Sequence, residues 1–218
     1  MAKHLIRELE KIKKKILTLG ALVEERVRMV SDAVDNRDAA IAQKVVDMDW
    51  EIDELEVEIE EECLKVLALH QPVAVDLRFL VATIKINNDL ERIGDQAVNI
   101  AERILTIAKR PAVDFVFDYA PMAEKAKTML RMSLDALVKL DVDLAFKVIT
   151  LDDEVDAIKD QAYDGIKEAI KLNPQRVGYL INLLLISRHL ERLADHATNI
   201  AEEVVYLIEG EIVRHGNL

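Results

Sequence analysis

Four pairs of carboxylates recur along this chain at a spacing of four residues: Asp49 with Asp53, Glu91 with Asp95, Asp152 with Asp156, and Glu191 with Asp195. On an α-helix that spacing puts both side chains on one face. Two like charges so placed cost roughly 0.2–0.5 kcal/mol per pair, and a cation between them would relieve the repulsion. Hard oxygen donors suit magnesium, manganese or calcium, and iron or zinc with less preference. The alternative is a solvated, ion-paired face. Arg92 and Arg192 stand beside the carboxylates and Arg78 lies upstream, and exposed pairs of that kind are worth about 0–1 kcal/mol each. Spacing leaves both readings open; the return of both pairs later in the chain favours the cation.

Other chemistry is hard to find. There is no Gly-rich phosphate loop, no His-Glu-x-x-His and no nucleophile elbow. Glu-x-x-His, which carboxylate-bridged di-iron bundles carry on two helices, is absent as well. The five histidines are scattered. His196 stands where the matching stretch has Gln96, and His189 where it has Asp89; both read as surface residues. The chain therefore reads as no enzyme. A regulatory binding module leads, with a metal store or metalloenzyme and a metal-free structural adaptor as the competing classes.

The elements that must position these carboxylates are long helices, present twice. Leu90 to Glu102 recurs as Leu190 to Glu202 at an offset of 100 residues, whereas Asp49 to Asp53 recurs as Asp152 to Asp156 at 103. The first copy thus carries three extra residues near its second turn. So long a period indicates a duplicated domain rather than a solenoid. Within each copy apolar residues return at three and four: Val45, Met48, Ile52, Leu55, Ile59 and Val66 in one, and Val148, Leu151, Val155, Ile158, Ala162 and Ala169 in the other. The first helix is expected from about Ile6 to Val34, followed by a turn at 36–38 with Asp38 as N-cap. A second helix is expected to run to about Leu69, and a third from Pro72 to about Lys109. The second copy should turn at Asp141 and at Asn173-Pro174, with Asn173 capping the last helix. The predicted fold is all-α: six long helices in two tandem three-helix bundles, residues 1–110 and 119–218, joined by a linker over 111–118. On the third helix Asn88, Glu91, Asp95, Asn99 and Glu102 share a sector about 80° wide, opposite Leu90, Ile93, Ala97, Ile100 and Ile104. Asp49 and Asp53 flank the apolar stripe of the second helix, where a neighbouring helix could meet them.

Composition narrows the partners. A net charge of −12 argues against nucleic acid and against an anionic membrane surface, since both are met with clustered Lys and Arg. Cations and basic protein patches fit better. Aromatics are only 4 % of the residues, which leaves helix as the default class. Cys63 is the single cysteine and falls on an apolar position, so it reads as a buried, inert thiol in a reducing compartment. The first ten residues are charged every few positions, so no signal peptide is expected, and no apolar run is long enough to insert in a membrane. The expected location is the cytoplasm. Exposed apolar positions on such long helices suggest a weak homodimer.

Gln71 to Arg78, followed by Glu91-Arg92-Ile93-Gly94-Asp95-Gln96-Ala97-Val98-Asn99-Ile100-Ala101-Glu102 and its second copy, closely resembles the PhoU family over nearly the whole chain. The Pro72 to Arg78 stretch has this character in the first copy only; the second reads Pro174-Gln175-Arg176-Val177-Gly178. The resemblance implies two three-helix domains related by pseudo-symmetry. It also implies a cytoplasmic negative regulator of phosphate uptake and of the phosphate-starvation response. The implied partners are the phosphate ABC transporter ATPase and a sensor histidine kinase. Some family members carry multinuclear metal clusters on Glu/Asp-x-x-x-Asp motifs. By resemblance these map onto Asp49, Asp53, Glu91, Asp95, Asp152, Asp156, Glu191 and Asp195, with iron, zinc, magnesium or manganese as the metal.

Overall fold

The computed structural model describes residues 2–110 and 117–213, and among them every regular element is helical. In chain order these are α1 (Ala2–Asn36), α2 (Ala39–Asp47), α3 (Trp50–His70), α4 (Val75–Ala108), α5 (Ala120–Lys139), α6 (Val142–Leu172), a single 3₁₀ turn (Pro174–Arg176) and α7 (Val177–Glu209). The expected six rods are present, but the second is interrupted. Between α2 and α3 the amides of Met48 and Asp49 bond three residues back, to Val45 and Val46, at 3.4 Å. Neither proline nor glycine marks the spot, and the matching stretch of α6 runs through unbroken. The break makes Asp49 the first residue before α3, with Glu51 and Asp53 in its first turn, where negative charge faces the positive end of the helix dipole.

The turns follow local chemistry in part. Asp38 caps α2, its Oδ1 accepting from the amides of Ala40 at 2.8 Å and Ile41 at 3.1 Å. Asp141 caps α6 through the amide of Leu144 at 2.9 Å. Two expectations are corrected. The third helix starts at Val75, not Pro72, because Gln71 and Ala74 both take positive φ (46° and 48°) and hold the chain out of the helix. Asn173 caps no helix N-terminus. Its amide side chain donates back to Ala169 O at 3.4 Å, closing α6, and Pro174 opens a 3₁₀ turn before α7. The second turn is four residues long in both copies, 71–74 and 173–176, so the three extra residues of the first copy lengthen the flanking helices: α3 runs one residue past the match to the end of α6, and α4 starts two before the match to the start of α7. Of the expected linker, residues 111–116 lie outside the described residues; Phe117 and Tyr119 are packed, ring centroids 5.0 Å apart, and the Tyr119 hydroxyl donates to Leu183 O at 2.7 Å.

α4 and α7 form the central pair. α1, α2 and α3 lean on α4; α5 and α6 lean on α7; α1 also meets α5. Cross-bonds define an antiparallel pairing: Lys85 to Glu203 at 3.0 Å, Asp89 to His196 at 2.9 Å, and Gln96 to His189 at 2.9 Å. The last two are images of one another, because the 100-residue offset carries 89 onto 189 and 96 onto 196. Internal two-fold symmetry therefore runs through this seam. It also corrects the surface reading of His189 and His196, which are partly enclosed between the two units. The apolar stripes, including Ile52, Ile59, Val66, Leu90, Ile93, Ala97 and Ile100 with their second-copy partners Val155, Ala162, Ala169, Leu190, Leu193, Ala197 and Ile200, are almost fully buried. They belong to one continuous core apart from Ala162. At about 25 cal/mol per Å² of apolar surface, this burial is the main stabilising term. Cys63 lies inside the core, and burial pushes its thiol up to about 12.

Gly94 sets how closely α3 can approach α4. A Cβ there would stand 3.0 Å from Ile52 Cδ1 and 3.3 Å from Ile52 Cγ2. Gly94→Val is expected to lower the unfolding free energy by about 1–3 kcal/mol, the usual cost of overpacking a core. Urea denaturation measures it, and an unchanged midpoint would show that Ile52 yields freely.

Candidate functional site

Both carboxylate quartets are assembled by tertiary structure. Asp49 and Asp53 at the start of α3 face Glu91 and Asp95 in the middle of α4. Asp152 and Asp156 on α6 face Glu191 and Asp195 on α7. The mutual influence shows in their acidities. Partial burial, followed by repulsion from Asp53 and Asp95, raises Asp49 above the usual carboxylate range. Partial burial and then Asp95 do the same for Glu91, with Glu56 and Asp53 adding to it. In the second quartet partial burial and then Asp156 raise Asp152, against a 3.3 Å hydrogen bond donated by Thr198. Asp195 is pushed up to about 6, first by partial burial and then by Glu191, Asp152 and Asp156.

Fixed positive charge borders each group. Arg92 reaches Glu91 at 3.5 Å and Asp95 at 3.4 Å, both on its own helix, and is itself half exposed. Arg26, on α1 and fully buried, pairs with Glu51 and lies close enough to influence Asp49. In the second quartet Lys159 Nζ lies 2.8 Å from Asp156 Oδ1 and 3.2 Å from Glu191 Oε1, bridging α6 and α7. Those bonds, to Asp156 above all, hold its ammonium protonated well beyond the usual lysine range.

The donor chemistry of the first quartet fits a hard cation. Its Glu91 Oε2 is buried and accepts no hydrogen bond, with Arg92 Nε 3.5 Å away. Yet among the described residues no three His, Cys, Asp or Glu side chains converge on one point as they stand. The first quartet is thus a set of suitable donors rather than a closed cage. If a metal is held there, Asp49, Asp53, Glu91 and Asp95 would hold it, and it would supply charge neutralisation across the α3–α4 seam. In the second quartet an ammonium already bonds one oxygen of each of two of the four acids.

Residues that periodicity alone did not single out matter here: Glu56, Lys159, Arg26 and Asp89. Glu56 and Lys159 stand three positions after Asp53 and Asp156, so aligning the two copies was the signal that could have exposed them. Arg26 carried none, because a buried arginine inside an apolar stripe looks like a surface residue until the packing is known.

The pH dependence of Asp195 has a definite sign. Its acidity is weakened from 3.8 to about 6 by folding. The native state therefore carries a penalty that is full above about pH 6 and vanishes as pH falls through 6 towards 4. In chelator and low salt, Asp195→Asn should melt about 1–3 °C above the parent at pH 7.5, a modest figure because Asp195 remains partly in water. The difference should close by pH 4; thermal melts across that range measure it, and a gap that widened on acidification would refute the assignment.

The chain matches the PhoU domain model twice, over residues 16–104 and 120–204, and each match takes in one quartet. It is 38 % identical over 214 residues to the phosphate-specific transport system accessory protein PhoU homolog of Aquifex aeolicus, covering 98 % of this chain and 97 % of that protein. The homolog of that name from Synechocystis sp. is 38 % identical over 206 residues, covering 93 % and 90 %. The crystal structure of PhoU from Pseudomonas aeruginosa superposes with a TM-score of 0.91 at 34 % identity, over 94 % of this chain and 99 % of that one. The phosphate transport system regulatory protein PhoU from Streptococcus pneumoniae gives 0.84 at 30 % identity, over 96 % and 99 %. With two family domains, full-length relatives and a shared six-rod architecture, the chain belongs to the PhoU family.

Proposed function

We propose that this protein is a regulatory accessory component of a phosphate transport system, acting by binding rather than by turnover. The observation that carries this reading is full-length similarity, through both repeats, to proteins named as phosphate-specific transport system accessory proteins. The physical character of the chain supports it. A net charge of −12 suits basic patches on a protein partner, and complementary charge raises the encounter rate. No helix among the described residues is long and apolar enough to cross a membrane, so contact with a transporter would be made through a protein surface.

The finer reading is a relay. In the cytoplasm the protein would sense the state of the transporter ATPase and hold a sensor histidine kinase in its repressing state while phosphate is plentiful. A relay needs different affinities for two partner states, not merely tight binding. Metal on the first quartet would stiffen the α3–α4 seam and so set the shape offered to the partner. Exposed apolar side chains gather where α3 meets α4, at Leu69, Val73, Val75 and Leu77. A weak homodimer through that patch accompanies the reading.

Two measurements test it. Deleting the gene should switch on phosphate-starvation genes in phosphate-replete medium, read by a reporter, and raise phosphate uptake. Unchanged repression and uptake in the deletion strain would remove the regulatory reading. For self-association, light scattering at increasing concentration should show a mass rising above 24.7 kDa, with Val73→Ser plus Val75→Ser restoring the monomer; a constant monomer mass for the parent would refute the dimer.

A further inference from the structure

The two quartets are built from one duplicated plan, yet their charge is balanced differently. The 103-residue offset that carries Asp49 and Asp53 onto Asp152 and Asp156 also carries Glu56 onto Lys159 and Arg26 onto Met129. Met129 is buried in the apolar core, so no arginine stands at that place in the second unit. What it has is Lys159, whose ammonium spans the α6–α7 seam between Asp156 and Glu191 and comes within 4.0 Å of Asp160. Glu56, at the matching place in the first unit, adds a carboxylate instead. Asn87 holds it there, donating to Glu56 O at 2.9 Å and to Glu56 Oε1 at 3.2 Å.

We propose that Lys159 is the resident cation of the second quartet and closes it to metal. Two of the ammonium's three N–H donors go to carboxylate oxygens a metal would need, Asp156 Oδ1 and Glu191 Oε1, and its charge repels a divalent ion from close range. Arg92 does not close the first quartet in this way. It pairs only within α4, at 3.4–3.5 Å, and its half-exposed side chain can swing to water. Lys159 is held from two helices at once, and leaving would strand acids from both. The family's duplicated motif is thus retained twice in sequence, but one copy is satisfied internally by a covalently attached charge. This inference rests on the metal reading of the first quartet only for its contrast between the two; the closure of the second stands on Lys159 itself.

The test uses the full chain stripped of metal and dialysed against manganese(II), with bound metal counted by mass spectrometry. Asp95→Asn should abolish manganese uptake by the parent, whereas Asp195→Asn should leave it unchanged. Lys159→Met should take up additional manganese, and that gain should disappear in Lys159→Met/Asp195→Asn. In chelator, Lys159→Met should melt below the parent and recover on adding manganese; Lys159→Gln serves if the Met variant does not fold. The proposal is overturned if the Lys159 variants bind no more manganese than the parent, or if Asp195→Asn costs the parent as much metal as Asp95→Asn. A parent that binds nothing while Lys159→Met binds would sink the metal reading of the first quartet and leave the closure of the second intact.

Discussion

The antiparallel pairing of α4 with α7 is the contact on which everything else depends. Each of these helices presents three faces. One packs its own unit's apolar core, one carries the carboxylates toward α3 or α6, and one meets the other unit. That third face is unusually polar for its burial: Gln96 and Glu203 are nearly inaccessible, and Lys85, Asp89, His189, His196 and Asn199 bond across it. Apolar packing alone tolerates sliding along a helix pair, whereas a ladder of partly buried hydrogen bonds is satisfied in one register only, since a slip leaves donors and acceptors unmet. That register also fixes the acid-bearing faces of α4 and α7 relative to each other.

Carboxylate crowding is the local cost of that arrangement. The weakened acidities of Asp49, Glu91, Asp152 and Asp195 mean that folding partly buries these groups and then sets them against one another's repulsion. Residues held in electrostatically unfavourable places mark sites with a role beyond stability, although structural ion-pair networks perturb acidities too. Here both occur. Lys159 turns one cluster into an ion-pair network, whereas the other keeps a buried glutamate oxygen with no hydrogen bond. The two copies share one plan, but Glu56/Lys159 and Arg26/Met129 give them different electrostatics, and the backbone is broken before α3 where it runs on through α6.

Much of this was legible in the chain. Apolar residues at three and four, two aspartate caps, scarce turn formers and a 100-residue internal match determined an all-helical, duplicated architecture, because helix periodicity and capping are local and need no knowledge of distant contacts. The i, i+4 pairs determined that each pair shares a face for the same reason. Tertiary structure alone decided the rest. It broke the second rod at Met48-Asp49, where no proline or glycine warned of it, and delayed α4 to Val75 through two positive φ angles. It drew His189 and His196 off the surface into a seam between units, and it chose which cation stands beside which acid. Those outcomes depend on residues about 30 to 110 positions apart meeting in space: Asp156 with Glu191 through Lys159, Asp89 with His196 and Asn199. Periodicity places a side chain on a face of its own helix, but only packing of that helix against the others determines what the face meets.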